Sequence, residues 1–315
     1  MWTTTLNGGP YQIIANFEPS TEQVYVAGTV GQDQNRRAVL WRNGIPQVMS
    51  KSQSSASSVN VSGSDVYVTG SLGQGENQRA TLWKNSAIQI LSDTRSWTNS
   101  VCIFGIDVYV AGLIGQGENE RATLWKNGIP QTLSDTQSAA RFVYVSNNDV
   151  YVVGSLGEGK NQRSVVWKNS VPQTLSSTQA RAYSIYVSSN DVYIVGSIGE
   201  EQNERATFWK NSVSQVLSDT RSLASSVCTF ISDVFVAGTV VQGQNQKATL
   251  WKNGVPQVLS NTQSWASSVY VLGNDVYVTG YIGQNYRATL WKNGVPQTLS
   301  DTDSMANSVF VRKMQ

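Results

Sequence analysis

Seven tryptophans stand at a nearly fixed interval along this chain. Trp41, Trp83, Trp125, Trp167, Trp209, Trp251 and Trp291 are separated by 42 residues five times and by 40 once, each inside a version of Ala-Thr-Leu-Trp-Lys-Asn-Gly. A unit that recurs this strictly is one supersecondary element, and it buries its apolar faces against copies of itself. The repeat therefore decides what 315 residues leave open, and predicts a single domain over residues 1–315.

One unit, read from Ser58, runs SVNVSGSDVYVTG, SLGQGENQ, RATLWKNSAIQILS and DTRSWTN. It holds four short segments rich in β-branched and aromatic residues, divided by Gly, Asn, Ser and Asp. In this copy they predict strands A to D near residues 59–62, 66–70, 80–83 and 88–91. Gly63-Ser64 suits a tight A–B hairpin, and Asn43-Gly44, Asn127-Gly128, Asn253-Gly254 and Asn293-Gly294 carry the chemistry of a tight C–D turn. No segment sustains a helical period, which excludes a helical solenoid. Four antiparallel strands in every unit of about 42 residues describe a blade, and seven such units an all-β, seven-bladed β-propeller.

The ends of the chain suggest how the ring closes. Asn307-Ser308-Val309-Phe310-Val311 repeats strand A, whereas the first clear strand, Gln23-Val24-Tyr25-Val26-Ala27-Gly28, repeats strand B. The C-terminal segment is thus expected to complete the first blade, pairing both ends of the chain. Residues 3–14, where Leu6-Asn7-Gly8-Gly9-Pro10 looks like a worn copy of the C–D turn, leave two readings open: they pack as an extra hairpin, or Ile13 to Phe17 supplies that strand instead.

Asp-Val-Tyr-Val-x-Gly followed by Ala-Thr-Leu-Trp-Lys-Asn-Gly resembles the repeat of uncharacterised bacterial β-propeller proteins over about residues 22–311. The period and the Trp ending strand C are similar to WD40 blades. Trp-Lys stands in place of Trp-Asp, however, and no Gly-His precedes it, so the motif is not that of WD40 proteins. The resemblance implies a propeller with a general binding habit and no known active site.

Composition narrows the function classes. His is absent, which removes the commonest general base, metal ligand and pH switch. With 23 Lys+Arg against 21 Asp+Glu, the formal charge of +2 leaves no footprint for nucleic acid or an anionic membrane. No apolar run approaches a membrane span, and no basic segment followed by an apolar one opens the sequence. A soluble, cytoplasmic monomer without cofactor or metal is the expectation, a removed leader aside. Cys102 and Cys228 lie three repeats apart at the same position of strand A. Blades so far apart should not bring two Cα atoms within about 7 Å, so two reduced, buried thiols are expected.

Each repeated column has a structural and a functional reading. The seven strand-C tryptophans are expected to wedge between blades; a lectin would use them as sugar platforms. Asp65, Asp107, Asp149, Asp191, Asp233 and Asp275 open strand B in six blades and should cap turns. Arg37, Arg79, Arg121, Arg163, Arg205, Lys247 and Arg287 open strand C, where salt links to nearby Glu76, Glu118, Glu120, Glu158, Glu200, Glu201 and Glu204 should order the B–C loops.

Two columns differ from blade to blade. One reads Ser55, Trp97, Ala139, Arg181, Leu223, Trp265 and Met305; the other, two residues on, reads Ser57, Asn99, Arg141, Tyr183, Ser225, Ser267 and Asn307. Both fall on the polar connection before the innermost strand and should line the channel mouth on the B–C loop face. Where near-identical copies disagree, packing does not dictate the residue. Trp97, Arg141, Arg181, Tyr183, Leu223, Trp265 and Met305 are therefore the candidate partner-binding residues. Drift at a permissive surface position would give the same pattern. The sequence thus points to a non-enzymatic scaffold that binds a protein or peptide at this mouth. Its rivals are a lectin with a site per blade and a recently amplified or engineered propeller with no defined ligand.

Overall fold

The computed structural model describes residues 22–176, 178–200, 202–301 and 303–314. It contains seven four-stranded antiparallel sheets, one per repeat. In blade 2 the strands are A, Ser54–Ser62; B, Asp65–Leu72; C, Arg79–Lys84; and D, Ala87–Ile90. Strand A lies on the axis side, where it meets the A strands of both neighbouring blades, and D forms the outer rim.

Strand A begins several residues earlier than the sequence predicts. The run before it is polar because its hydroxyls are used locally. Ser54 accepts a hydrogen bond from the Ala38 amide at 2.9 Å and donates to the Ser52 carbonyl at 3.0 Å. Ser96, Ser138, Ser222, Ser264 and Ser304 receive the corresponding amide from the blade before their own. A buried hydroxyl satisfied in this way is compatible with a strand, although its composition reads as a loop.

Blade 1 is composite. Its strands Glu22–Val30, Arg37–Arg42 and Ile45–Val48 are completed by Ser304–Lys313, which pairs antiparallel with the first of them, Tyr25 opposite Phe310. The closing strand expected from the C-terminal repeat is therefore present; residues 13–17 and 3–14 lie outside the described residues. Arg312 strengthens the join by donating to Gln23 Oε1 at 2.7 and 3.0 Å and to the Gly63 carbonyl.

The seven strand-C tryptophans are wedges. Each is at most 1% exposed, and each packs against the preceding blade: Trp83 among Tyr25, Ala38, Leu40 and Met49, and Trp41 among Tyr277, Ala288, Leu290 and Leu299. The indoles of Trp41 and Trp125 also donate across the seam to the Leu299 and Leu91 carbonyls. The Asp column caps turns: Asp65 accepts from Asn85 and pairs with Lys84 at 2.7 Å, while Asn85 accepts the Val66 amide. Its carboxyl sits below the usual range, first because Lys84 and then because Asn85 donates to it.

The Arg column orders loops, but through carbonyl oxygens rather than the expected carboxylates. Arg79 donates to the Glu76 and Gln78 carbonyls, and Arg37, Arg121 and Arg163 repeat the pair of contacts. These contacts close short 3-10 turns such as Gly75–Asn77. Outer strand D is exposed throughout, and Pro46, Pro130, Pro172, Pro256 and Pro296 occupy its second position, where a missing amide discourages edge pairing. Among the described residues no helix is long and apolar enough to cross a membrane.

Candidate functional site

A bulge in strand A builds the channel mouth. In blade 2, Ala56 faces Gly70 and Ser58 faces Thr69, so Ser57 is left unpaired; the closing strand and the A strands of the other blades skip the equivalent residue. The extra residue switches which pleat faces the axis, so positions 55, 57 and 60 of the unit can all point inward. The bulge also explains the glycine in every strand B. A Cβ on Gly28, Gly70, Gly112, Gly154, Gly196, Gly238 or Gly280 would lie 1.8 to 2.2 Å from the carbonyl oxygen just before the bulge. Only glycine admits that approach.

The bulged residue of each blade, Ser57 through Asn307, lines one cavity of about 310 Å³ at the mouth. The mouth lies on the face of the B–C loops, which strand A joins through Ser54 N–Arg36 O and Gly73 N–Gln53 O. Of the seven candidate residues, the structure brings Arg141, Tyr183, Leu223 and Trp265 together there. The Arg141 guanidinium stacks over the Tyr183 ring, 5.0 Å from its centroid, an attraction that also fixes the direction of the fork.

The other three lie elsewhere. Trp97 sits in a lateral groove of about 170 Å³ with Ser55, Gln78 and Arg95. Arg181 is a strut, donating to Gln162 Oε1 at 2.5 Å and standing 3.7 Å from the Glu204 carboxylate. Met305 is exposed and does not line the mouth. Their column precedes the bulge, and from it Trp97 and Arg181 reach the preceding blade, at Ser71 and Gln78 and at Gln162.

Below the mouth is a feature the sequence reading did not assemble. The lining of a lumen of about 410 Å³ includes the same position of strand A from every blade: Asn60, Cys102, Tyr144, Tyr186, Cys228, Tyr270 and Phe310. Tyr144 lies 5.0 Å from Tyr186 and Tyr270 5.1 Å from Phe310 between ring centroids. Both cysteines are free and buried, as expected from their spacing, and burial pushes each thiol up to about 11. The same cause moves Tyr270 up to about 12 and raises Tyr144 and Tyr186. The column was legible, since its residues vary as widely as the rim, but the two cysteines were read for their pairing alone.

Between mouth and lumen is a ring of hydroxyls. Ser58, Ser100, Ser184, Ser226, Ser268 and Ser308 each accept the amide of Val101, Val143, Val227, Val269, Val309 or Val59 from an adjoining blade, at 3.2 to 3.4 Å. Phe142 takes the seventh place, and its ring faces both spaces. The ring's symmetry is therefore broken on one side, by Arg141, Phe142 and Tyr183 on adjacent strands.

No protein-family model matches the chain, and no curated protein matches it in sequence. Among solved structures it is similar to the β-propeller domain of the Trilobed protease from Pyrococcus furiosus, described as having an open velcro topology (8% identity, TM-score 0.58, 90% of this chain and 93% of that one). It is also similar to the acylaminoacyl peptidase of Pyrococcus horikoshii (10%, 0.55, 89% of this chain) and to a puromycin-hydrolysing peptidase of Mycobacterium tuberculosis (11%, 0.55, 90% of this chain). The chain spans about half the length of those two peptidases, 53% of each. At these identities the likeness shows the fold alone.

Proposed function

We propose that this propeller is a non-enzymatic binding module that engages a protein or peptide at its channel mouth. The observation that carries the reading is the bulge column. Seven near-identical blades present seven side chains at one level around one cavity, and these side chains differ from blade to blade. A half-buried Trp265 and Leu223 beside a stacked Arg–Tyr pair form the mixture of aromatic, apolar and cationic groups that anchors protein contacts. Symmetry also bears on catalysis: the carboxylates of the Asp column are spread evenly over six blades and held in turns by Lys and Asn. Burial withdraws the seven strand-C tryptophans, the feature that suggested a lectin.

The test is a comparison of two variants against a partner isolated with the wild-type protein and then purified. In the first, Arg141, Tyr183, Leu223 and Trp265 become Ser; in the second, Trp97, Arg181 and Met305 become Ser. The first should lose binding by about a hundredfold or more, as removal of several anchors implies, and the second should change it little. Equal binding by the first variant and wild type would refute the proposal.

A further inference from the structure

The mouth and the lumen form one continuous space, because Ser58, Phe142, Ser226, Ser268 and Ser308 line both. Its charge is one-sided: among the described residues that line the two spaces, Arg141 alone is charged. Among the described residues no carboxylate pairs with it. Its Nε is buried without a hydrogen-bond partner, and so is the Ser225 hydroxyl two blades away at the same level. Buried polar atoms left unmade are costly, so both atoms fit an acceptor supplied from outside. The lumen has the opposite character, with three tyrosines and two phenylalanines around it. Arg141 and Tyr144 are three residues apart on one strand, which places cation and rings about 10 Å apart along the axis.

We infer that the mouth takes the C-terminal residue of a partner chain, with its α-carboxylate on Arg141 and its apolar or aromatic side chain in the lumen. The inference rests on the peptide-binding reading above. A lone guanidinium matches a single negative charge, and its planar fork meets two carboxylate oxygens at once. Ser225 lines the same cavity with its hydroxyl unpartnered. A hole on the axis of a ring admits a chain end more readily than a doubled loop. Of the two ends, the N-terminus brings an ammonium that Arg141 repels and that no carboxylate among the described residues lining the space would receive.

Fluorescence anisotropy with the whole protein tests this. The probe is an N-terminally fluorescein-labelled Gly-Ser-Gly-Ser-Phe, made as the free acid and as the C-terminal amide. The acid should bind at least about tenfold tighter than the amide. Arg141→Met should erase that preference with an unchanged melting profile, and Arg141→Lys should keep only part of it. Replacing the last Phe of the free acid by Ser should weaken binding as well. 4-Phenylbutyrate carries the same carboxylate and ring without a chain, and should compete far less well than the unlabelled peptide. Competition as strong as the peptide's would overturn the chain-end assignment in favour of free acids. Equal binding of acid and amide, or binding of neither, would overturn the inference outright. The purified-partner comparison above decides the broader reading independently, because it does not depend on where in the partner the contact lies.

Discussion

Gly154→Ala is the sharpest perturbation of the device that builds the mouth. Gly154 lies opposite the bulge that presents Arg141, with Ala140 and Phe142 paired on either side of it. A methyl group there would lie 1.9 Å from the Ala139 carbonyl oxygen, with the carbonyl carbon and the Ala140 Cα also within 3.2 Å. To reach the 3.0 Å below which such contacts are essentially never seen, backbone must move by about 1.1 Å. Both obstructing groups are backbone in a strand paired on one side and clasped on the other to the preceding blade through Asn99 and Ser100, so relief has to come from flattening the bulge. Overpacking of this kind costs about 3 kcal/mol, the upper end for an inserted methyl where no side chain can yield. With an unfolding entropy of about 2.1 cal/mol/K per residue, that corresponds to a fall of about 5 °C in Tm. Gly159→Ala is the control. Unlike Gly154 it has a positive φ, of 54°, but it meets nothing within 4 Å, so it should cost about 1 kcal/mol. Thermal unfolding followed by circular dichroism gives both values. A Gly154→Ala protein as stable as the Gly159→Ala one would refute the argument from the close approach.

Three other outcomes follow from the packing and the titrating groups. Trp83→Ala, which empties a wedge that is 0% exposed between blades 1 and 2, should lower stability by about 3–5 kcal/mol, read from urea midpoints. The Asp column has its carboxyls depressed in the folded state, Asp107 by Lys126 and then Asn127. Its stabilisation is therefore full above the unfolded value near 3.9 and is lost as pH falls through the folded one, so urea midpoints should drop only below about pH 4, and less steeply in Asp107→Asn. The thiols act in the opposite sense. Raised by burial to about 11 from an ordinary value of 9.0, they favour the fold below pH 9 and lose that contribution between 9 and 11. At pH 8 both should resist Ellman's reagent in the native protein and react at once in guanidinium; rapid native reaction would contradict their placement.

What repeats was easy to read in the sequence, and what breaks the repeat was harder. The Trp, Asp and Gly columns recur because one geometric demand recurs: a seam to fill, a turn to tie, a carbonyl to admit. The start of strand A was hidden for the converse reason. Ser54 and its equivalents are polar, yet they are consumed by the Ala38-type amide and become strand. That misreading placed the rim on a connection rather than on a bulge. It therefore grouped Trp97, Arg181 and Met305 with Arg141, Tyr183, Leu223 and Trp265, because a two-residue spacing carries no information about which residue is squeezed out of the ladder. The Arg column was assigned to salt links because Glu neighbours are visible in sequence, whereas the carbonyl oxygens that Arg79 reaches are not. The lumen was missed because Tyr144, Tyr186 and Tyr270 sit in strands where an aromatic residue is unremarkable; only closure of the ring makes them neighbours around one axis.

The claim that the channel mouth is the binding face is tested most directly by site-specific photocrosslinking. A benzophenone side chain replaces Ser225 in the mouth or, in a second protein, Ile231, which is 87% exposed on the A–B turn at the other end of the same strand. Irradiation with the purified partner should give a covalent product from position 225 and none from position 231, and the product should vanish when Arg141, Tyr183, Leu223 and Trp265 are changed to Ser. Crosslinking from position 231 with none from position 225 would place the partner on the opposite face and contradict the account.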